Sequence, residues 1–375
     1  MRGDAESGGA KLRFLAGLGV GLAASAAVQG SPSVDLRGQV VLITGGSRGL
    51  GLLLAREFGR EGCRLALYAR DEEELARAAA DLTPLGVEVL TVPGDVSDRE
   101  AVEQLIAKVT RHYGAVDVLV NNAGIIQVGP VQTMSVEDYH RALDVMFWGV
   151  VYPTLAVLPQ MRARRRGRIV NITSIGGLVS VPHLLPYNCA KFAAVGFSEG
   201  LRAELARESI SVTTIVPGLM RTGSAVNALM KGRREQEFTW FSLGASLPLV
   251  SMDAERAARQ IVRAAKRGEA ERILSIPAAL LARFHGLFPG LTTNLLGLVN
   301  RVLPRPGAET PGSAPSTAER GMDVQRRVRS PLFHFATTWG RKAARRFHQY
   351  PGPSSTATEA QSAPGQTAQT PEPHG

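Results

Sequence analysis

The segment Thr44-Gly45-Gly46-Ser47-Arg48-Gly49-Leu50-Gly51 predicts the fold of this chain. The apolar run Gln39–Thr44 precedes it as a strand, and Leu50–Arg60 follows it as a helix. In that context Gly45 permits a tight turn, Gly49 lets the backbone approach a pyrophosphate, and Gly51 lets the helix pack closely on the strand. The free N–H groups at the helix start favour phosphate. We therefore expect a dinucleotide site here, the alternative being a glycine-rich loop with no ligand.

Strands and helices continue to alternate beyond this segment. The apolar runs that indicate strands are Arg64–Tyr68, Val87–Val92, Val116–Asn121, Arg168–Thr173, Ser211–Val216 and Arg272–Ile276. Helical stretches separate them, including a long one that opens with Ser135 and Asp138 and runs to about Arg164. Continuous apolar strands separated by helices are typical of a parallel sheet covered on both faces. The pattern predicts a doubly wound, Rossmann-like α/β fold, which binds ligands beyond the carboxyl ends of its strands.

The end of the second predicted strand bears on the choice between NADP and NAD. An acidic residue there would bind the ribose 2′-hydroxyl, whereas a cation would accept a 2′-phosphate. Ala69 occupies this position and Arg70 follows, while Arg48 in the glycine turn can reach the same phosphate. Asp71 argues for NAD, but three glutamates follow it, which indicates a helix start instead. Two guanidiniums suit a phosphate, so NADP is favoured over NAD.

Three polar residues predict the chemistry at the nicotinamide. Tyr187 and Lys191 are one helical turn apart, and Ser174 precedes them at the end of the fifth predicted strand. Hydride arrival puts negative charge on a carbonyl oxygen, and a tyrosine phenol can donate the proton that must follow. A nearby lysine favours the tyrosinate, and a serine hydroxyl stabilises the developing charge. The alternative, an ordinary exposed helix pair, leaves the placement of Ser174 unexplained.

These segments together resemble the short-chain dehydrogenase/reductase family over about residues 38–275. The resemblance implies further cofactor contacts from an Asp after the third strand, an Asn-Asn-Ala-Gly segment after the fourth, and a Pro-Gly turn with a later Thr. The matching residues are Asp95 and Val96; Asn121, Asn122, Ala123 and Gly124; and Pro217, Gly218 and Thr222. It also implies that Ser174, Tyr187 and Lys191 are catalytic, that Lys191 binds the nicotinamide ribose, and that the chain forms a homodimer or homotetramer.

One position departs from the family pattern. The family usually has an asparagine in the long helix before the fifth strand, where it holds a water that relays protons from the lysine. Met146 stands at that position here, and a thioether cannot hold that hydrogen bond. Either the relay runs differently, with His140 or His183 as substitutes, or turnover is reduced. A catalytically weak, NADP-binding membrane sensor or scaffold is the alternative function.

The remaining sequence predicts the setting of this domain. The chain has 375 residues and a net charge of +10, with no recognisable nucleic-acid module, and the expected partner is a small molecule. Two cysteines without metal spacing fit a reducing, cytoplasmic compartment, and no metal is expected. The stretch Phe14–Val34 lacks charges and is either a weak membrane anchor, a signal or a flexible leader.

Composition divides the chain into a leader (1–37), a catalytic domain (38–277), an apolar helical extension (278–304) and a mostly disordered basic tail (305–375). The apolar extension either packs on the core or lies on a bilayer. The segment 331–350 within the tail is either a basic amphipathic helix or disordered. Candidate substrate-pocket residues, which favour an apolar and possibly lipid-like carbonyl or alcohol unless they only pack a lid, are Leu178, Leu184, Leu185, Leu219, Met220, Phe238, Trp240 and Phe241.

Overall fold

The computed structural model describes residues 33–248, 250–306 and 317–351. Among these residues, seven parallel strands form the central sheet. They are β1 (Val40–Thr44), β2 (Arg64–Ala69), β3 (Val89–Pro93), β4 (Val118–Asn121), β5 (Gly167–Ile172), β6 (Ile210–Val216) and β7 (Glu271–Ile273). Their spatial order is β7-β6-β5-β4-β1-β2-β3. The order reverses direction beside β1, so that a crevice for ligands opens at the carboxyl ends of β1 and β4.

Helices cover both faces of this sheet. The helices that connect β1 through β6 are α1 (Gly49–Arg60), α2 (Glu72–Leu82), α3 (Arg99–Tyr113), α4 (Val136–Leu143), α5 (Gly149–Arg164) and α6 (Leu185–Glu204). Those that follow are α7 (Arg234–Ser246), α8 (Ala254–Arg267), α9 (Ile276–Leu287), α10 (Pro289–Asn300), α11 (Gly321–Arg327), α12 (Pro331–Ala336) and α13 (Thr338–Arg346). The doubly wound fold expected from the sequence is confirmed.

The alternation of side chains along β1 shows how the two core layers form. Val41 and Ile43 pack with α1, α2 and α8 on one face of the sheet. Val40 and Leu42 pack with α3, α5 and α6 on the other face. Successive strand side chains point to opposite faces, so a strand buried on both sides is apolar at every position.

The long predicted helix is interrupted in the middle. Ser135 and Asp138 form the capping box that starts α4, but Asp144–Trp148 adopt a π-helical turn before α5 begins. The segment Val136–Arg164 is the one stretch, among the described residues, long and apolar enough to cross a membrane, and half of its most apolar window is buried in the protein. Packing of α5 in the core accounts for that composition.

The structure corrects two expectations about the ends of the chain. The leader was expected to lie outside the core up to residue 37, yet Leu36 is fully buried and accepts a hydrogen bond from the Cys63 thiol. Residues 317–330, expected to be disordered, contain a short strand, Glu319–Arg320, and α11. Their order comes from Val324, which is fully buried in a cluster with Phe238 of α7. The stretch Phe14–Val34 lies almost entirely outside the described residues.

Candidate active site

The glycine turn joins β1 to α1 at the carboxyl edge of the sheet. Gly45 and Gly49 have positive φ values of 64° and 56°, a region that side chains disfavour. Gly51 is required for a different reason, because a Cβ there would overlap the carbonyl oxygen of Gly45. Two of the three predicted roles, the tight turn and the close helix packing, are therefore visible in the backbone.

The loop after β4 is fastened to this turn by hydrogen bonds. The backbone N–H groups of Asn122 and Ala123 donate to Thr44 Oγ1 at 3.0 and 3.1 Å. The Asn122 side chain donates to the carbonyl oxygens of Thr44 and Gly45 at 3.0 and 3.1 Å. Thr44 and Asn122 therefore hold the loop after β4 against the glycine turn.

The two arginines expected at a 2′-phosphate each lie near a carboxylate. Arg48 forms an ion pair with Glu74, which also accepts a hydrogen bond from Ser47 Oγ at 2.9 Å. Arg70 Nη1 is 3.9 Å from a carboxylate oxygen of Asp95, and its side chain is 58% exposed. Asp71 caps α2 by accepting from the Glu74 N–H at 2.8 Å, as its sequence context indicated. Arg70 is therefore the more available of the two guanidiniums.

The C-terminal segment reaches the glycine turn, which the sequence did not indicate. The Gly49 N–H donates to the Phe347 carbonyl at 2.8 Å. A Cβ on Gly49 would overlap the side-chain amide nitrogen of Gln349. Asn227 holds Gln349 in place by donating to its backbone carbonyl at 2.8 Å and to its Oε1 at 2.7 Å. In this structure the space beside Gly49 thus accommodates Gln349.

The predicted catalytic residues are brought together by β5 and α6. Ser174 follows β5 and its Oγ accepts from the Gly176 N–H at 3.0 Å. Lys191 Nζ donates to the Ile172 carbonyl at 2.8 Å and lies 5.9 Å from the centre of the Tyr187 ring. The Ser174 hydroxyl also lies near the Tyr187 phenol and acts to lower the pKa of that phenol.

Two glycines that were not predicted as site residues allow α6 to pack closely against the loop after Ser174. A Cβ on Gly176 would lie 3.1 Å from a ring carbon of Tyr187, and one on Gly177 would lie 2.7 Å from the Lys191 carbonyl oxygen. Both distances are shorter than an ordinary van der Waals contact. The pair Gly176-Gly177, separated from Ser174 by Ile175, was therefore the available sequence signal for the close approach of α6.

Burial is the largest influence on the pKa values of Tyr187 and Lys191. Burial raises the pKa of Tyr187, and the Ser174 hydroxyl opposes that rise. Burial lowers the pKa of Lys191 to about 8. The lysine was expected to lower the pKa of Tyr187, but the larger effect here is desolvation of the phenolate. The phenol therefore keeps its proton, which is the state that a proton donor requires.

Met146 lies beside the catalytic pair. It is buried and packs with Ala190 and Tyr187. A Cβ on Gly124 would be 3.7 Å from the Met146 sulfur and 3.9 Å from Lys191 Nζ. Apolar atoms therefore occupy the neighbourhood of the ammonium, which contributes to its desolvation. His140 is exposed on α4.

His183, the other suggested substitute, belongs to a buried cluster. Its Nδ1 lies 2.9 Å from both carboxylate oxygens of Glu237, which is fully buried. Trp240 Nε1 donates to the same carboxylate at 2.6 Å. His183 has a φ of 64°, and its carbonyl accepts from the Gly129 N–H at 2.9 Å. The cluster joins the loop before Tyr187 to α7, and Glu237 gave no sequence signal.

The remaining predicted positions lie around the same edge. The Pro217 carbonyl accepts from the Ile175 N–H at 2.8 Å, and Thr222 is buried and accepts from the Ser224 N–H at 3.3 Å. Asp95 accepts from the Ser97 N–H at 3.0 Å, and Val96 is buried.

Four of the eight suggested pocket residues belong to one apolar cluster, and they divide into two groups. Leu184, Trp240 and Phe241 pack in one cluster with Tyr187. Phe238 belongs to the same cluster but also packs against Phe333 of α12, with ring centres 5.9 Å apart, so it holds the C-terminal segment. The apolar surroundings of Tyr187 are thus made by the loop before α6 and by one face of α7.

The parallel sheet, the glycine turn after β1 and the Ser–Tyr–Lys cluster after β5 define the class of dinucleotide-binding oxidoreductases. A family model described as short chain dehydrogenase matches residues 39–231, just over half of the chain. The chain belongs to the short-chain dehydrogenase family. As a member it is an oxidoreductase that acts on CH–OH or C=O groups with a nicotinamide cofactor.

Several known proteins are similar to this chain over most of their own length, and the two solved structures among them contain different cofactors. A putative oxidoreductase, SadH, from Mycobacterium tuberculosis is 39% identical over 258 residues, which cover 67% of this chain and 92% of that protein. The L-sorbose reductase of Gluconobacter frateurii, solved with NADPH and L-sorbose, is 26% identical with a TM-score of 0.58, covering 64% of this chain and 97% of that one. A short chain dehydrogenase/reductase of Burkholderia phymatum, solved with NAD, is 25% identical with a TM-score of 0.64, covering 69% and 96%.

Proposed function

We propose that this protein is an NADP-dependent oxidoreductase for an apolar carbonyl or alcohol, with Tyr187 as the acid and base. The observation that carries the proposal is the convergence of Ser174, Tyr187 and Lys191 at the carboxyl end of β5. The bound nicotinamide supplies or accepts the hydride. The glycine turn at the start of α1 and the exposed Arg70 fit such a dinucleotide once Gln349 leaves the space beside Gly49, since they then offer close approach of the backbone and a cation.

Each catalytic side chain then has one task. Tyr187 holds a proton that it can transfer to the substrate oxygen, because burial disfavours the phenolate. Lys191 supplies positive charge that lowers the cost of forming the phenolate once the proton has left. Ser174 donates to the substrate oxygen and stabilises its developing charge. The apolar side chains Leu184, Trp240 and Phe241 exclude water from this step and favour an apolar, lipid-like substrate.

Replacing Tyr187 with phenylalanine tests the assignment of acid and base. We expect turnover to fall by about a hundredfold or more, since general acid catalysis contributes about 10²–10⁴. The dissociation constant for NADPH should change little, because the ring and its packing remain. Tyr152→Phe is the matched control, since Tyr152 stacks on Trp148 and not on the catalytic cluster. Unchanged turnover in Tyr187→Phe would exclude the proposed mechanism.

The NADP preference rests on the two arginines and the absence of an acid at Ala69. Glu74 partly neutralises Arg48, so Arg70 is expected to contribute more. Arg70→Ala should raise KM for NADPH by about tenfold, the value of one lost charge-assisted contact, and leave KM for NADH nearly unchanged. Equal effects on both cofactors would refute the 2′-phosphate assignment.

A second candidate is a catalytically weak NADP-binding protein that acts as a membrane-associated sensor or scaffold. Met146, buried beside Lys191 where a relay of water is expected, is the observation that favours it. Tight binding of NADPH without turnover, across a panel of apolar aldehydes, ketones and alcohols, would support this second function. Turnover of any of them supports the first.

We also propose a cytoplasmic, self-associating protein that contacts membranes. Exposed apolar side chains on the π-helical turn, α5 and α6, namely Trp148, Leu155 and Phe192, suit a homodimer or homotetramer. Light scattering of the purified chain measures that assembly. The apolar segment Phe14–Val34 is the proposed membrane contact at the N-terminus, and its removal should lower the share of the protein that is found in the membrane fraction of lysed cells.

A further inference from the structure

The helices α9 and α10 form a hairpin, residues 276–303, that scarcely packs on the rest of the protein. Only Ala278 in α9 and Thr292 in α10 are buried. The large apolar side chains it exposes are Ile276, Leu280, Phe284, Leu287, Phe288, Leu291, Leu295, Leu298, Val299 and Val302. Such a continuous apolar surface exceeds what soluble proteins normally show to water.

The exposed side chains are not confined to one stripe. In α10 every residue except Thr292 and Leu296 is exposed, so the apolar residues face outward on all sides. A helix that is apolar all round is typical of a lipid environment or a protein core. Helices of twelve residues are also marginal in water without an apolar partner. A second protein surface would cover one face of the hairpin, whereas lipid chains would surround it.

The length of the two helices and the charge of the hairpin indicate how deeply it would insert into a bilayer and which lipids it would bind. Each helix is about 18 Å long, which is too short to cross a hydrocarbon core of about 30 Å. The sequence has no acidic residue between Glu271 and Glu309, whereas Arg283, Arg301 and Arg305 lie in that interval. A short, apolar and cationic hairpin matches one leaflet of a bilayer that carries anionic headgroups.

The C-terminal helices carry a second set of residues suited to the same surface. Leu332, Phe335 and Trp339 are 77%, 80% and 57% exposed, and the exposed cations Lys342 and Arg345 follow them. Tryptophan is enriched at membrane interfaces, and basic residues beside it bind anionic headgroups. This pattern supports a lipid partner independently of the hairpin.

The base of the hairpin lies next to the candidate active site. Ser275 caps α9 by accepting from the Ala278 N–H at 3.4 Å. A Cβ on Gly218 would lie 2.8 Å from Ser275 Oγ and 3.1 Å from the Ala278 Cβ, so the hairpin begins against the Pro217-Gly218 turn. By the family resemblance this turn holds the nicotinamide side. A bilayer around the hairpin would therefore lie beside the entrance used by the substrate.

We propose that the hairpin 276–303 inserts into one leaflet of an anionic phospholipid bilayer and places the active site at the membrane surface. The role in substrate delivery rests on the proposed function, whereas membrane insertion does not. The partner is thus a lipid surface, and an apolar substrate would reach the active site from the hydrocarbon phase.

A polarity-sensitive fluorophore on the hairpin of the full chain tests the insertion. The background is Cys189→Ser, which removes the exposed thiol and leaves Cys63 buried. Leu298→Cys places the label on α10, and Val136→Cys, at an exposed apolar residue on α4, is the matched control. Vesicles of phosphatidylcholine with phosphatidylserine should shift the emission of the Leu298 label to the blue, and should leave the Val136 label unchanged. High salt should weaken the effect.

Two outcomes would overturn the proposal. Flotation of the protein with vesicles and no shift at Leu298 would assign membrane binding to another segment. A blue shift that depends on protein concentration, without vesicles, would assign the hairpin to a second copy of the chain. Turnover of a water-soluble aldehyde, measured on the same preparations, separates these results from the proposed function, because vesicle insertion can occur in an inactive enzyme.

Discussion

Replacing Lys191 with methionine should stabilise the folded chain near neutral pH and remove most of its activity. The side chain is 5% exposed, and burial lowers its pKa from 10.5 to about 8. At about 1.4 kcal/mol for each pH unit, holding the charge in the folded state costs about 3 kcal/mol. Methionine forgoes the hydrogen bond from Nζ to the Ile172 carbonyl, worth about 1 kcal/mol. The net gain in the free energy of unfolding is therefore on the order of 2 kcal/mol.

The lowered pKa of Lys191 predicts how the stability difference between the two proteins changes with pH. Below about pH 8 both the folded and unfolded chains carry the protonated lysine, so the full cost is present. Between about 8 and 10.5 the unfolded chain binds more protons than the folded one, so the stability of the unsubstituted protein rises with pH. The advantage of Lys191→Met should therefore shrink across that interval and, since the hydrogen bond to the Ile172 carbonyl is lost, become a loss of about 1 kcal/mol above it.

Urea unfolding of both proteins without dinucleotide, near pH 7 and near pH 10, measures the effect. Lys108→Met, on an exposed site of α3, is the matched control and should change stability little. Turnover of Lys191→Met should fall by about a hundredfold or more, since the charge beside Tyr187 is lost. A variant less stable than the unsubstituted protein near pH 7, or an advantage that does not change with pH, would refute the argument from burial. Undiminished turnover would refute the catalytic role.

Two further variants test the backbone of the site and its buried cluster. Gly51→Ala would drive a Cβ into the Gly45 carbonyl, so NADPH affinity should fall by more than about tenfold and the melting temperature should drop. Gly49→Ala should lose less stability than Gly51→Ala, about 1–2 kcal/mol for the left-handed backbone, since the end of the Gln349 side chain can move. A larger loss in Gly49→Ala than in Gly51→Ala would contradict this ranking of the two glycines. Glu237→Ala should cost about 3–5 kcal/mol, because buried polar partners lose their acceptor, whereas Glu237→Gln keeps one acceptor and should cost less. Thermal unfolding of both Glu237 variants measures this, and equal losses would contradict the pairing.

The central sheet was predictable because its determinants are local. Each strand is an apolar run buried on both faces, and helical segments separate the strands, so the alternation of strands with helices and the position of the glycine turn follow from short segments. The meeting of Ser174 with Tyr187 and Lys191 follows from the same logic, since one stands at a strand end and the others on the next helix. Their roles remain proposals that the variants above test.

The contacts that the sequence could not indicate join distant parts of the chain. Gln349 fills the space beside Gly49 and is held by Asn227, and neither residue belongs to a recognisable pattern. The order of residues 317–330 was missed because Met322, Val324 and Val328 are isolated apolar residues in a polar segment, and the groove that buries Val324 exists only after α7 has formed.

The sequence by itself thus determined the family, the doubly wound sheet and the identity of the candidate catalytic side chains, because periodicity and motif spacing are properties of short segments. Only the tertiary structure decided which groups set the protonation of that site, which residues of the C-terminal segment contact the glycine turn and which apolar side chains stay exposed. These depend on burial, and burial arises from side chains that are far apart in the chain and meet only when it folds.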